Sequence, residues 1–479
     1  MVTHDEVRQN LILHRYDEAR NGALELVSIN PLDAQGWVFL GEACLRSGNG
    51  TVARRCFDRA WLLDPEAKWV SAMQKACEDA PSGTVTDHEV EKVLAYPSKT
   101  VSALILFKNN KRTLSACLAA LQRAVDEIIA VDTGSSDGSR EIAEMYGAKV
   151  YDFPWIGDFS AARNFGLKYV SSDWVIAIDS DEILELGDQD NIRITAGLFH
   201  ELQVPAIVRI VQMNKLGRII VPALSQSRMF PMNKGLHWDG KIHEVITFQE
   251  FVRDRRVVRP AVRIRVFHDG YDPESVDIQS KYDRNITLLL QQLQQEPDNP
   301  SLHFFIGRES LFLKRYDVAI KHLEEAERLG QKITGYGMVP DIMRRLVQAY
   351  AESGNVKKAE QKAEEMISLF PTYPDGLFLR AEIRIRKIDQ EIQKAYSEML
   401  SAQKAANSYR GITETDSTIG TWKSEVYLAD IARWLGRWDE ARARYVSAIS
   451  IAPELMEIRK RIDEMDRQIH LLSEATTQN

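Results

Sequence analysis

Apolar residues recur along this 479-residue chain with two different periods. Towards both ends they return every three or four positions, the spacing of helices packed along one face. Between those regions, residues 100–275 carry short apolar runs separated by turns and helical stretches. VSALILF (101–107), EIIAVDT (127–133), AKVYDF (148–153) and DWVIAID (173–179) read as strands. RTLSACLAALQRA, SSDGSREIAEMYG and FSAARNFGLKYV, which alternate with them, read as helices or helix entries. Strand alternating with helix predicts a mostly parallel α/β sheet, whose ligands sit at the carboxyl ends of the strands. Asp132 ends one such strand, and Asp179 with Asp181 ends another, so these acids face one crevice.

The helical regions contain repeats. Trp37, Leu40, Gly41, Ala53, Phe57, Ala60 and Pro65 fall on the tetratricopeptide pattern, and Pro31 and Pro65 lie 34 residues apart, its period. Ala19 and Pro31 mark a partial unit ahead of it. The frame returns at Ile306, Gly307, Tyr316, Ala319 and Ala326, and again at Leu346, Tyr350, Gly354, Ala359 and Pro371. Leu377 opens a degenerate unit, and Leu428, Gly436, Trp438, Ala441, Ala448 and Pro453 form a last one after an interruption at 405–423. The domains expected are therefore repeats over 1–80, a Pro/Gly/Ser/Thr-bearing linker over 81–99, an α/β domain over 100–275, repeats over 276–470 and a tail over 471–479. Such arrays either scaffold and dimerise the chain or hold a long partner in their concave face.

Composition narrows the class. Lys and Arg number 61 against 69 Asp and Glu, a net charge of −8, which disfavours nucleic-acid binding. The N-terminus MVTHDEVRQN shows no basic segment followed by an apolar one, so no signal peptide is expected. No run of about 18 apolar residues suggests a membrane span. Cys44, Cys56, Cys77 and Cys117 lack CxxC spacing and read as reduced core thiols of a cytoplasmic protein.

The stretch DWVIAIDSDEI (173–183) poses the chemical question. An apolar strand runs into Asp179, Asp181 and Glu182, which repel one another unless something positive sits among them. Alternation along an extended strand turns Asp179 and Asp181 to one side. Hard oxygen ligands suit magnesium or manganese, so the expected positive partner is a divalent metal.

VDTGSSDGS, WIGDFSAARN and DWVIAIDSDE, in this order, resemble glycosyltransferase family 2, the inverting enzymes of GT-A fold. LHWDGKIHE and VFHDGY are similar to a bacterial branch that joins this domain to tetratricopeptide repeats, the sublancin S-glycosyltransferase-like enzymes. The resemblance covers about residues 98–330. It implies an α/β GT-A (Rossmann-like) domain flanked by repeat helices, a nucleotide-sugar donor of the UDP-sugar type, and a Mn2+ or Mg2+ ion that offsets the charge growing on the leaving diphosphate.

Residue roles follow from that resemblance. It implies that Asp181 binds the metal and Asp179 faces the donor ribose, and that Asp132 accepts the imide N–H of a uracil. Lys108 is placed to approach the base or phosphates. Arg163 either steadies the diphosphate or makes a surface salt bridge. Glu244 is the candidate general base, although the family more often shows an aspartate in a Glu-Asp pair where this chain has His243-Glu244. His243, if its segment is extended, turns to the opposite side, to orient substrate or to serve structure. His268 takes the role of a second metal ligand, as a late histidine does in related enzymes. Trp155 and Trp238 either stack on sugar or base, or pack.

Six arginines between Arg253 and Arg265 include Arg263 and Arg265, which alternate with Val262, Ile264 and Val266 as on a strand with one wet face. That face is either solvated or a patch for phosphate or an acidic acceptor. The acceptor expected is a peptide or protein held by the repeats. A saccharide such as a lipopolysaccharide core is the alternative, since transferases of that kind share the HE pair. A repeat scaffold with an inactive transferase domain is the other, and the repeats also allow a homodimer.

Overall fold

The computed structural model describes residues 2–81, 87–248, 257–270, 277–408 and 416–476. It divides into two compact units, Met1–Pro297 and Asp298–Asn479.

The first unit opens with helices His4–Ile12, Tyr16–Ile29, Ala34–Arg46 and Gly50–Leu63. The repeat positions Ala19, Trp37, Leu40, Ala53, Phe57 and Ala60 are all buried in their shared core. Gly41 is small for a reason: a Cβ there would lie 2.8 Å from the Phe57 ring. The segment that reads as a linker contains a helix, His88–Leu94, capped by Asp87. Its Val90 and Leu94 are buried in the same core. Seven residues are too few for a clear period, which is why the sequence pattern does not reveal them.

Among the described residues ten strands follow: β1 Val101–Phe107, β2 Glu127–Asp132, β3 Lys149–Asp152, β4 Trp174–Asp179, β5 Glu182–Leu184, β6 Val208–Leu216, β7 Ile219–Pro231, β8 Leu236–Asp239, β9 Val245–Phe248 and β10 Ala261–His268. Eight form one sheet in the order β3-β2-β1-β4-β7-β6-β10-β5, and β8 pairs with β9 apart from it. β1 to β4 run parallel, as the alternating pattern predicts, while β7 joins β4 antiparallel. Both faces of β1 are buried: Ala103 and Ile105 in one core, Leu104 in the other. A strand covered on both sides reads as the unbroken apolar run VSALILF. In register, Asp132 stands opposite Phe107 and Asp179 opposite Leu106, so the two acids end strands on either side of β1.

The second unit is helical. Pro300–Phe312 pairs with Tyr316–Gly330, and Val339–Glu352 with Val356–Leu369. The degenerate unit at Leu377 is instead one 35-residue helix, Pro374–Ser408. Of the interruption expected at 405–423, residues 409–415 lie outside the described residues. Trp422–Trp434 and Trp438–Ile451 form the last repeat, and Met456–Thr476 follows.

Gly307 supports a prediction. A Cβ there would lie 2.5 Å from Leu323 Cγ, at the branch point of a fully buried side chain. Gly307→Ala gains about 1 kcal/mol of helix propensity. Overpacking costs about 1–3 kcal/mol and outweighs it. The urea midpoint of the variant falls; a midpoint at or above that of the parent chain contradicts this packing.

Candidate active site

The strand-end acids meet arginines. The helix Phe159–Leu167 begins at Asp158, whose side chain accepts from the Ala161 amide at 2.8 Å. Gly166 brings this helix onto the sheet, since a Cβ there would lie 2.5 Å from Leu104. Arg163 is thereby directed at the end of β4. Its Nη2 donates to Asp179 Oδ1 at 2.7 Å and its Nε to Glu244 Oε1 at 2.7 Å. Arg228, from β7, donates through Nη2 to Asp179 Oδ2 at 2.6 Å and to Glu182 Oε1 at 3.0 Å. Gln212 Nε2 also reaches Glu182 Oε1, at 2.6 Å. A continuous chain of opposite charges, Glu182–Arg228–Asp179–Arg163–Glu244, results.

Its setting is buried: Glu182 has no exposed surface, Arg163 4% and Arg228 8%. Burial works to raise the Asp179 carboxyl, but the guanidiniums of Arg228 and Arg163 prevail and hold it well below the usual range. Burial pushes the Glu182 carboxyl up, and Asp179 and Asp181 push the same way against the pull of Arg228. Nη1 of Arg163 and Nε of Arg228 are buried without a hydrogen-bond partner, among the described residues.

These contacts correct several expectations. The positive charge balancing Asp179 and Glu182 belongs to arginines from distant segments. Asp179 and Asp181 are not set by strand alternation, because Ser180 and Asp181 form the turn between β4 and β5. Asn110 Nδ2 donates to Ser180 Oγ at 2.5 Å and Thr113 Oγ1 to its carbonyl at 2.9 Å, fixing that turn. Arg163 makes a buried ion pair, not a surface one. His243 has φ 53°, so its segment turns there, and the side preference expected of an extended strand does not apply. Trp238 is buried against Phe230, with its backbone held by Asn164, and presents no face to a sugar. Trp155 packs edge-on against Phe159.

Asp181 and His268 are brought together. Asp181 Oδ2 lies 3.5 Å from His268 Nε2, while His268 Nδ1 faces Asn214 Oδ1 at 2.9 Å. Burial works against the charged imidazole, but Asp181 raises its pKa overall. An imidazole whose Nδ1 is engaged by an outer acceptor presents Nε2 inward, the arrangement common for metal-binding histidines. Gly270 packs close against both, since a Cβ there would lie 2.3 Å from His268 Nε2 and 2.9 Å from Asp181 Oδ2, so no larger residue fits at this position. A carboxylate and an imidazole that approach to 3.5 Å have the donor chemistry of a pair of protein ligands for Mn2+ or Mg2+. Among the described residues no cluster of three or more His, Cys, Asp and Glu could hold a metal ion. Arg112 grips Asp269 through two hydrogen bonds of 2.6 and 2.9 Å and ties the end of β10 to the loop after β1.

Asp132 lies apart from the ion chain. Its Oδ1 accepts from the amides of Gly134 and Ser135 at 3.0 and 2.8 Å, with Gly134 at φ 107°, where only glycine is at ease. Oδ2 accepts no hydrogen bond among the described residues. Lys108 is exposed, one residue beyond the Phe107 that registers with Asp132.

The arginine run resolves differently from either expectation. Arg253, Arg255 and Arg256 lie outside the described residues. Arg263 is buried, its guanidinium 3.9 Å from the centre of the Trp61 ring, with Arg265 at 5.2 Å. Arg265 donates to both oxygens of the buried Asp188, at 2.7 and 3.1 Å. The face that alternation marks as wet is covered by the helix Gly50–Leu63.

Comparison with known proteins bears on this geometry. Residues 102–188 match the family "Glycosyl transferase family 2", and residues 280–374 the tetratricopeptide repeat. The glycosyltransferase SunS of Bacillus subtilis is 25% identical over 325 residues, covering 66% of this chain and 74% of that one. An uncharacterised glycosyltransferase of Rickettsia felis is 37% identical over 92 residues, 19% of this chain and 32% of that one. The crystal structure of S. aureus TarS aligns with a TM-score of 0.32 at 15% identity, over 54% of each chain.

Sequence reasoning did not find Arg228, Gln212 or Asn214. Each lies on β6 or β7, and a lone polar residue in a strand does not announce its partner. For Arg228 the consequence is measurable. Replacing it with Leu leaves Glu182 fully buried beside Asp179 with no guanidinium of its own. Breaking a buried pair in this way costs about 3–5 kcal/mol. Adding Glu182→Gln removes the stranded charge and recovers part of the loss. Denaturant unfolding of the single and double variants checks both; an unchanged midpoint for Arg228→Leu contradicts the ion chain.

Proposed function

This chain is a glycosyltransferase with a family 2 domain joined to tetratricopeptide repeats; from that premise, we propose that it moves a sugar from a UDP-sugar to a peptide or protein acceptor, with inversion, in the cytoplasm. The observation that carries this reading is the convergence of Asp181 and His268 beside the fixed acids at the strand ends. A Mn2+ or Mg2+ ion held by these two residues would stabilise the negative charge of the departing diphosphate. Asp132, through its second carboxylate oxygen, would receive the uracil imide, with Lys108 near the base or phosphates. Asp179, already anchored by two arginines, would meet the ribose as a rigid acceptor. The catalytic unit in this reading is 100–275, with the repeats of 276–470 holding a long acceptor and allowing a homodimer.

Glu244 is the proposed base. Arg163 holds Oε1, which leaves Oε2 to take the acceptor proton. Arg163 therefore acts as a positioning residue in this scheme, directing Glu244 instead of gripping the diphosphate directly.

Two sets of variants test the scheme. Hydrolysis of a panel of nucleotide sugars, with and without Mn2+, should show a metal-dependent UDP-sugar activity that Asp181→Ala abolishes while the fold persists. Normal turnover of that variant with Mn2+ removes the metal role. Glu244→Gln should bind UDP-sugar almost normally by calorimetry yet transfer more slowly by a factor on the order of 10² to 10⁴. Transfer at the parent rate at neutral pH removes Glu244 as base. A defect that disappears at high pH points to a thiol acceptor, which ionises near pH 8.5 without help.

A further inference from the structure

β6 and β7 form a ribbon whose catalytic face continues outward as an aliphatic surface. In register, Gln212 stands opposite Ala223, Asn214 opposite Val221 and Leu216 opposite Ile219. Residues directly opposite in an antiparallel pair share a face, and so do alternate residues along each strand. Gln212 donates to Glu182 and Asn214 faces His268 on this face, so it is the face of the candidate site. Val221, directly opposite Asn214, and the pair Leu216 and Ile219, about 7 Å farther along the ribbon, extend it. They are 42%, 60% and 40% exposed.

A second observation concerns the backbone. β4 pairs with β7 only through Met229–Pro231, and among the described residues Ile219–Ser227 pair with β6 alone. Among the described residues the outer edge of β7 therefore has no strand partner along Ile219–Ser227. Pro222 carries no backbone N–H, which discourages sheet-to-sheet association, and the Leu224 carbonyl already accepts from Arg209 Nη1 at 3.4 Å.

We infer that this ribbon, Leu216, Ile219 and Val221 with the open edge of β7, is the surface on which an extended polypeptide acceptor lies as it enters the site. An unpaired edge is satisfied by another main chain, with its donors and acceptors repeating every two residues. A saccharide offers no such ladder, and aliphatic side chains offer its hydroxyls nothing. A lipid surface would need a larger apolar area than three side chains. The acceptor that fits is a peptide with aliphatic residues flanking the Ser, Thr or Cys that receives the sugar. This inference rests on the transferase reading and puts acceptor selection on the catalytic domain itself, in addition to the repeats.

The test uses the full chain and an array of synthetic peptides, each with one Ser, Thr or Cys flanked either by Val, Ile and Leu or by charged residues. Binding is read by fluorescence anisotropy, transfer by mass spectrometry, and donor hydrolysis without acceptor separately. The parent chain should prefer aliphatic flanks. The triple variant Leu216→Ser, Ile219→Ser, Val221→Ser should weaken binding and raise KM for those peptides by about ten-fold or more, with donor hydrolysis unchanged. Ile219→Thr with Val221→Thr, which keeps β-branching and hence the strand, should move KM the same way. Unchanged peptide affinity in both variants overturns the inference, as does a parent chain indifferent to flanking residues. Loss of binding to phosphatidylglycerol vesicles with peptide transfer intact overturns it in favour of a lipid surface. Absence of any nucleotide-sugar hydrolysis by the parent chain is a different failure, that of the transferase reading, and leaves the anisotropy result to judge the ribbon.

Discussion

The site depends on one arrangement, two buried arginines that divide three carboxylates between them. Asp179 lies between Arg163 and Arg228, and each arginine carries its outer charge to a further acid, Glu244 in one direction and Glu182 in the other. Such chains do not have to stabilise a protein, because desolvation of every member offsets much of the attraction. What this one does is fix positions. The end of β4, the helix Phe159–Leu167, the start of β5, strand β7 and the β8–β9 turn all meet through it. Each of these elements contributes a residue with a proposed part in the chemistry or one that holds such a residue in place.

A second junction ties the repeats to the same sheet. Arg263 and Arg265 project from β10, the strand that ends in His268, and stack on Trp61 from the helix Gly50–Leu63. Asp188 takes the charge of both arginines. The N-terminal repeats are therefore part of the wall behind β10, and truncating them would expose the buried Arg263 and uncover the half-buried Arg265. A flexible attachment would need no such pairing of aromatic ring, guanidinium and carboxylate.

The legible and illegible parts of the sequence differ in range. Local period gave the parallel strands: VSALILF and DWVIAID are apolar without interruption because both faces are covered. The repeat signature gave the helices, since Gly41 and Gly307 must be small wherever two helices touch. Acids at the strand ends marked the candidate site. The identity of their partners was not legible, because Arg228 lies 49 residues from Asp179 and Glu244 lies 81 from Arg163. Alternation placed Arg263 and Arg265 on one face correctly, yet it could not say that Trp61, two hundred residues earlier, covers that face. Turns also escaped the pattern: Ser180–Asp181 and His243 both break the extended geometry that period-two reasoning assumes.

The charge cluster at 179–182 now divides into two kinds of acid. Asp179 and Glu182 have arginines of their own, fixed at 2.6–3.0 Å, with Glu182 fully buried and Asp179 partly exposed. They are preorganised, so a ligand that meets Asp179 finds an acceptor that need not move. Asp181 is different. It sits in the turn, about as exposed as Asp179, but no arginine pairs with it: among the described residues its one ion-pair partner is an imidazole at 3.5 Å that is oriented by Asn214. Had the arginines been placed to satisfy all three acids, a cation arriving with a diphosphate would find no unneutralised carboxylate. By satisfying only the inner two, the fold removes the repulsion that would destabilise the strand end and keeps one negative charge where a ligand can reach it. That partition, more than the acids themselves, is what makes the strand end a candidate site.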